Sequence, residues 1–197
     1  PGMNAALRSV VRSANFHSLN CIGFFRGYQG IIENDFKLPE MRSVSNILEL
    51  GGTILRSMRS LDFHNPEIRE KAFDNLKSHN IDALIVIGGN GSITGANVFS
   101  KQFDFPCIGI PASIDNDIYG TDYSIGFQTA LQTIVESVDK IRDTARSHNR
   151  LFFVEVMGRD NGHLALYSAI ASGACFVIIP EKDFEINNLA ERLKFGK

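Results

Sequence analysis

The run Asp82-Ala83-Leu84-Ile85-Val86-Ile87 carries no polar side chain after its first residue and empties into Gly88-Gly89-Asn90-Gly91-Ser92. An apolar run of this length without alternation suits a strand covered on both faces, the kind a parallel sheet requires. The glycines let the backbone turn sharply, and the spacing beyond them predicts a helix through about Lys101. Strand, glycine-rich turn and helix start together make a phosphate cradle, because free N–H groups and the helix dipole favour anionic oxygens. The turn matches neither G-x-G-x-x-G nor G-x-x-x-x-G-K-[ST], and a tight structural turn accounts for it as well.

A second strand, Cys107 to Ile110, is expected to stop at Pro111 and deliver Ala112-Ser113-Ile114-Asp115-Asn116-Asp117-Ile118. In an extended backbone residues i and i+2 point to one side, so Asp115 and Asp117 can face one centre, one as proton acceptor and the other toward a cation. Asp and Asn also populate turns for local hydrogen-bonding reasons, so a polar turn after a strand is the plainer reading.

The remaining elements alternate. Apolar residues Ala5, Ala6, Leu7, Val10, Val11 and Ala14 predict a first helix, with Arg8 and Arg12 one turn apart on another face. Such a pair can grip a phosphate or simply face solvent. Cys21 to Phe25 reads as a buried strand, Gly27 to Gly30 as a flexible loop, and the stretch to Pro39 as a polar excursion. Ser45 to Leu50 reads as a short helix ended by Gly51-Gly52, and Thr53 to Ser60 carries Arg56 and Arg59. Asn65-Pro66-Glu67 has the cap, proline and early acid of a helix start, with its end near His79 and Asn80. A long helix is expected from about Gly126 to Arg146. Strands at Leu151–Val156 and Phe176–Ile179 and helices at Gly162–Ser172 and Ile186–Leu193 follow. Arg150 and Met157-Gly158-Arg159 flank the first of those strands, and arginine suits bidentate phosphate binding, although either one alone is commonly a surface charge. Five strand candidates separated by helices indicate an α/β fold with doubly wound parallel sheets.

At 197 residues, 44% of them hydrophobic, the chain can bury one sizeable core or one domain and part of another. The net charge of −2 supplies no basic field for nucleic acid, and no apolar span of membrane length appears. Cys21, Cys107 and Cys175 are widely spaced in or beside apolar runs and read as reduced, buried thiols of a cytoplasmic protein. The histidines have no metal-ligand spacing, so a metal, where used, is expected to be magnesium held by oxygens. The start at Pro1 and the stop inside a helical pattern suggest a fragment.

Read together, the glycine turn, the Ser-Ile-Asp-Asn-Asp loop, Arg150 and the Met-Gly-Arg segment closely resemble the bacterial-type ATP-dependent 6-phosphofructokinases, from Pro1-Gly2-Met3-Asn4-Ala5 through Val154 to Arg159. The resemblance implies a Rossmann-like two-domain subunit, here incomplete: a nucleotide-binding domain over 1–126 and the start of a sugar-phosphate-binding domain over 127–197. It implies a homotetramer that transfers the γ-phosphoryl group of ATP to the 1-hydroxyl of fructose 6-phosphate, with Mg2+. Asp115 matches the general base, Asp117 the magnesium-associated acid, and Ser113 stands where threonine is usual. Ser113, Ile114, Asp115, Met157, Gly158 and Arg159 match the substrate loops, with Arg159 stabilising the transferred phosphoryl group. Arg150 matches an arginine that reaches the sugar phosphate of a neighbouring subunit. Arg59, Ser60, Gly89, Asn90, Gly91 and Ser92 match the ATP site, and Arg8, Arg12 and Arg142 resemble effector-site arginines.

Gly91 and Ala112 favour ATP over pyrophosphate, whose users carry aspartate and lysine at the matching positions. Asn90 departs from the usual magnesium-associated aspartate, Cys175 from an effector-linked glutamate, and Met41, beside Arg42, from an effector-site arginine. The resemblance places a Gly-Gly-Asp turn before Pro1 and further sugar-phosphate ligands after Lys197. The departures leave a second reading open: a catalytically weakened, phosphofructokinase-like regulatory subunit.

Overall fold

A computed structural model describes residues 1–37 and 41–195, which form two units, Pro1–Ala112 and Ser113–Lys197. Helix α1 (Met3–Phe16) opens the first unit behind Gly2, which takes a left-handed φ of 82°. Its apolar stripe buries Leu7 and Val11 against Val44 and Ile47, with Ile54, Leu55 and Ile87 packed around them. Asn4, 2% exposed, ties this helix to the loop below it, donating to the Leu50 carbonyl at 3.1 Å and accepting from the Ile54 N–H at 2.9 Å.

Strand β1 (Gly23–Phe24), helix α2 (Tyr28–Glu33) and strand β2 (Phe36–Lys37) come next. The expected buried strand at Cys21–Phe25 is therefore only two residues long, and it pairs antiparallel with β2, outside the parallel sheet. The expected flexible loop at Gly27–Gly30 is instead the entry to α2. Gly30 has no room for a side chain there, because a Cβ would fall 1.9 Å from the Phe25 carbonyl oxygen. The excursion to Pro39 ends outside the described residues, and so does Lys197. A single 3-10 turn at Met41–Val44 lies just before the expected helix at Ser45–Leu50, which does not form.

Helix α3 (Pro66–Ser78) starts as its sequence demands: the Asn65 side chain accepts from the Glu67 N–H at 3.0 Å with proline in the first turn. Strand β3 (Leu84–Gly88), helix α4 (Asn90–Phe103) and strand β4 (Cys107–Ser113) form a β-α-β crossover with β3 and β4 parallel, Leu84 opposite Cys107 and Gly88 opposite Pro111. Pro111 does not stop β4: proline's fixed φ fits an extended chain, and its missing N–H matters only where a ladder partner needs it. Leu76, Ala72, Phe99 and Phe105 form the buried centre with Ile31, Ile32, Phe63 and Leu84. Phe73 stacks on Phe103 with ring centroids 4.5 Å apart. Each fully buried side chain of this size contributes about 1.5–3 kcal/mol.

In the second unit β5 (Ile125–Gly126) leads into α5 (Phe127–His148), followed by α6 (His163–Ser172) and α7 (Ile186–Phe195). Phe127 and Leu164 are buried, and α5 packs against α6 through Phe127 and Tyr167, whose rings meet edge-on at 5.6 Å. The expected strands at Leu151–Val156 and Phe176–Ile179 run without ladder bonds, and Phe153 is 72% exposed. A strand is defined by a partner as much as by its own residues, and no described segment pairs with either run.

All three cysteines are free. Burial pushes the Cys21 and Cys107 thiols up, whereas Cys175, expected to be buried, is exposed because it follows the left-handed end of α6 at Gly173 and lies outside any ladder. Among the described residues no helix is long and apolar enough to cross a membrane.

Candidate functional site

In the first unit the phosphate-cradle residues lie at the end of β3. Gly89 caps α4, so Asn90, Gly91 and Ser92 are its first helical turn, one step further into the helix than a loop reading implies. No side chain caps this helix start, which leaves its first N–H groups for an anionic partner. Gly88 must be glycine, since a Cβ would sit 2.8 Å from the Ser92 side chain, while above Gly91 the space is open. Tyr28 holds the turn from beneath: its hydroxyl donates to the Ser92 carbonyl, its ring stacks on Phe63 at 3.9 Å, and burial pushes its phenol far above the ordinary range. Ser60 donates to Gln29 Oε1 at 2.9 Å, and Arg59 is exposed.

Arg8 is half-buried and donates to the Val44 carbonyl at 2.6 Å, so it supports the fold as well as facing outward, while Arg12 is exposed. In the second unit half-buried Arg142 lies 3.6 Å from exposed Asp139 within α5, a pair of little energetic weight. The Met41 side chain lies outside the described residues.

Ser113 begins the acidic loop as the last residue of β4. The extended-backbone expectation fails at Asn116, which takes a left-handed φ of 55°. That residue separates the two carboxylates: Asp117 is exposed, whereas Asp115 is half-buried and its Oδ1 is buried with no hydrogen-bond partner. The Asp115 carboxyl is pushed up, first by burial, then by the neighbouring Asp117 charge, with Arg159 pulling the other way. The loop is thus a polar turn that sets its two acids in different environments.

Asn116 anchors this turn. Its Oδ1 accepts from the Ser124 N–H at 2.8 Å, its Nδ2 donates to the Asp122 carbonyl at 3.1 Å, and its own carbonyl lies 3.0 Å from His163 Nδ1. A carbonyl only accepts, so the His163 proton sits on Nδ1. Buried Ser124 donates through Oγ to the Ser113 carbonyl, and the Asp115 N–H donates to Ser113 Oγ at 3.2 Å.

The Arg159 turn is built by close approach. Gly158 has φ 147°, and a Cβ there would fall 2.3 Å from the Asn161 carbonyl oxygen. Asn161 Oδ1 accepts from the His163 N–H at 2.8 Å and closes the turn onto the start of α6. Arg159 itself has φ 54° and projects an exposed guanidinium whose Nε is 3.4 Å from Asp160. Met157 and Arg150 are exposed, and Ile114 is half-buried.

Sequence reasoning overlooked Asn116, Ser124, His163 and Tyr28. Asn116 carried a usable signal, an Asn between two Asp residues after a strand, because Asn tolerates the left-handed region. Nothing local marked Ser124, whose partners are eight and eleven residues away.

A parallel β-α-β unit with an uncapped, glycine-led helix start at one strand end, and a next strand that ends in an acid-bearing loop, define an α/β protein of the doubly wound kind. The chain belongs to the phosphofructokinase family, whose model matches residues 1–197. It is 57% identical over 196 residues to the ATP-dependent 6-phosphofructokinase 2 of Bacteroides thetaiotaomicron and 50% identical to the ATP-dependent 6-phosphofructokinase of Cytophaga hutchinsonii. Each match covers 100% of this chain and 60% of the relative, so the chain spans about three fifths of their length. Among solved structures, phosphofructokinase from Saccharomyces cerevisiae superposes with a TM-score of 0.90 at 38% identity, over 100% of this chain and 30% of that one. A pyrophosphate-dependent phosphofructokinase from Marinobacter aquaeolei, 22% identical with a TM-score of 0.87 over 98% of this chain and 53% of that one, shares the fold.

Proposed function

We propose that this chain contributes to an ATP-dependent 6-phosphofructokinase, which transfers the γ-phosphoryl group of ATP to the 1-hydroxyl of fructose 6-phosphate in glycolysis. The observation that carries the reading is Asp115: a carboxylate with one oxygen buried and unpaired, and with the acid pushed up, is suited to accept a substrate's proton. The names of the relatives point to the same substrates.

Within this reading Asp115 accepts the sugar hydroxyl's proton while Ser113, Ile114, Met157 and Gly158 line the substrate, and Arg159 offsets charge on the transferring group. Arg150 reaches the sugar phosphate of a neighbouring subunit in a homotetramer. Arg59, Ser60 and the Gly89–Ser92 turn hold ATP, and the open space above Gly91, with small Ala112, supports ATP as the donor. Residues 1–126 serve as the nucleotide-binding domain and 127–197 open the sugar-phosphate domain. Arg8, Arg12 and Arg142 hold an effector, and the enzyme works in the cytoplasm.

The exposed carboxylate of Asp117 and the amide oxygen of Asn90 are donors of the class magnesium takes, and a bound Mg2+ would neutralise phosphate charge. Asn90 brings one negative charge fewer than aspartate. The test is full-length protein with ATP, Mg2+ and fructose 6-phosphate. Fructose 1,6-bisphosphate is the expected product, and binding of both substrates without product overturns the proposal in favour of a regulatory subunit.

A further inference from the structure

We infer that Asn116 is the positioning residue of the acidic loop, tying Asp115 to the turn that carries Arg159. The inference rests on the kinase reading for what Asp115 does, and on geometry alone for what Asn116 does. A seven-residue strand, β4, delivers Ser113, but beyond it no ladder holds the chain until Ile125. Over that interval the hydrogen bonds converge on Asn116. Its amide uses both ends, accepting from Ser124 N–H at 2.8 Å and donating to Asp122 carbonyl at 3.1 Å, which closes the loop across eight residues. Its carbonyl receives the His163 Nδ1–H at 3.0 Å, and His163 starts α6 immediately after the Arg159 turn, whose Asn161 side chain holds the His163 N–H at 2.8 Å.

Asp115 makes no hydrogen bond through Oδ1, while its backbone is held on one side by its N–H donating to Ser113 Oγ and on the other by the clamped Asn116. Asn suits the task doubly. It accepts the left-handed φ of 55° that turns Asp115 and Asp117 into different surroundings, and it alone among residues comfortable there offers a donor and an acceptor without adding charge between two acids. Aspartate would present a second acceptor to the Asp122 carbonyl, and glycine would keep the turn and lose the clamp.

The experiment compares full-length wild type with Asn116→Gly and Asn116→Asp. Asn116→Gly is expected to lower kcat by about 10- to 100-fold, the usual scale for an ångström of misplacement. KM for ATP should stay within about twofold, because the glycine turn is built in the other unit, and the melting temperature should move little. Asn116→Asp, which keeps the acceptor for Ser124, should recover part of the lost kcat. A second readout needs no turnover: amide hydrogen exchange at Ser124 should accelerate in Asn116→Gly while exchange within α5 stays as in wild type.

Unchanged exchange at Ser124, or a kcat equal to wild type, overturns the inference. So does a kcat loss that only tracks the folded fraction. Should Asn116→Gly fail to fold, Asn116→Asp decides by kcat per folded molecule, because it loses the donor to the Asp122 carbonyl, and a wild-type kcat counts against the clamp. An inactive wild-type protein would count against the kinase reading alone, since the exchange result would still judge Asn116.

Discussion

The backbone N–H of Gly162 donates to Glu181 Oε1 at 2.7 Å, so an acid nineteen residues along the chain satisfies a donor at the start of α6. That N–H is also the main reason the Glu181 carboxyl titrates below its ordinary value. A folded value below the unfolded one means the stabilisation is present above the ordinary range, near 4.5, and is lost as pH falls through the depressed value. Glu181→Gln should therefore lower the melting temperature at neutrality, flatten its fall on the acid side, and converge with wild type at pH low enough to protonate the acid in both states. Gly162→Ala should be worse, because its Cβ would fall 2.5 Å from Glu181 Oε2 and 2.6 Å from Ile179 Cβ. A loss of about 1–3 kcal/mol in urea unfolding is the expected cost of such overpacking.

Asp115→Asn should separate function from stability. Turnover should fall by about 10²- to 10⁴-fold, the size of a general-base contribution. The fold should gain at neutral pH, because an acid whose folded value is raised penalises its own ionised form. The gain should vanish at pH low enough to protonate the acid in both states. Melting curves at neutral and acid pH, beside steady-state kinetics, check both halves. Wild-type turnover would remove Asp115 from the chemistry.

Asn90→Asp restores the charge missing from the first turn of α4. Half-saturation of activity with Mg2+ should move to lower concentration. Without metal the exposed acid should add about 0.3–1 kcal/mol through the helix dipole. A magnesium titration identical to wild type would place Asn90 outside the metal's environment.

Tyr28→Phe keeps the stack on Phe63 and deletes the hydroxyl that donates to the Ser92 carbonyl. A loss of about 0.5–1.5 kcal/mol in chemical unfolding is expected, with faster hydrogen exchange in the first turn of α4. Gly95→Ala attacks the same support from below, since its Cβ would fall 3.0 Å from the Tyr28 ring. KM for ATP should rise in both variants.

The features legible in the sequence were those encoded locally. Asn65-Pro66-Glu67 announced α3 because cap, proline and acid act within one turn, and the run to Ile87 announced β3 because its β-branched apolar residues suit a strand, although Ile85 is exposed and the strand is not covered on both faces as expected. Leu151–Val156 misled for the opposite reason: its residues suit a strand, but a ladder also needs a partner segment. At the site, residue types that bear chemistry stood out through the family resemblance, while their supports did not. Asp115 can be singled out by what a carboxylate does. Ser124 and His163 matter only through bonds to Ser113 and Asn116 that close after folding.

Helix α5 enters behind Gly126 at φ 105° and leaves through Asn149 at φ 49°, so both of its ends are set by left-handed residues. A helix stopped in that way has a defined length and also a defined phase. Adding one residue within its 22 would swing everything after it by about 100° and push it about 1.5 Å along the axis. Arg150, the first residue past that end, would then aim at a different part of its surroundings with every side chain in the unit unchanged. Point substitutions along the outer face of α5 should accordingly be tolerated freely, whereas single-residue insertions and deletions should not.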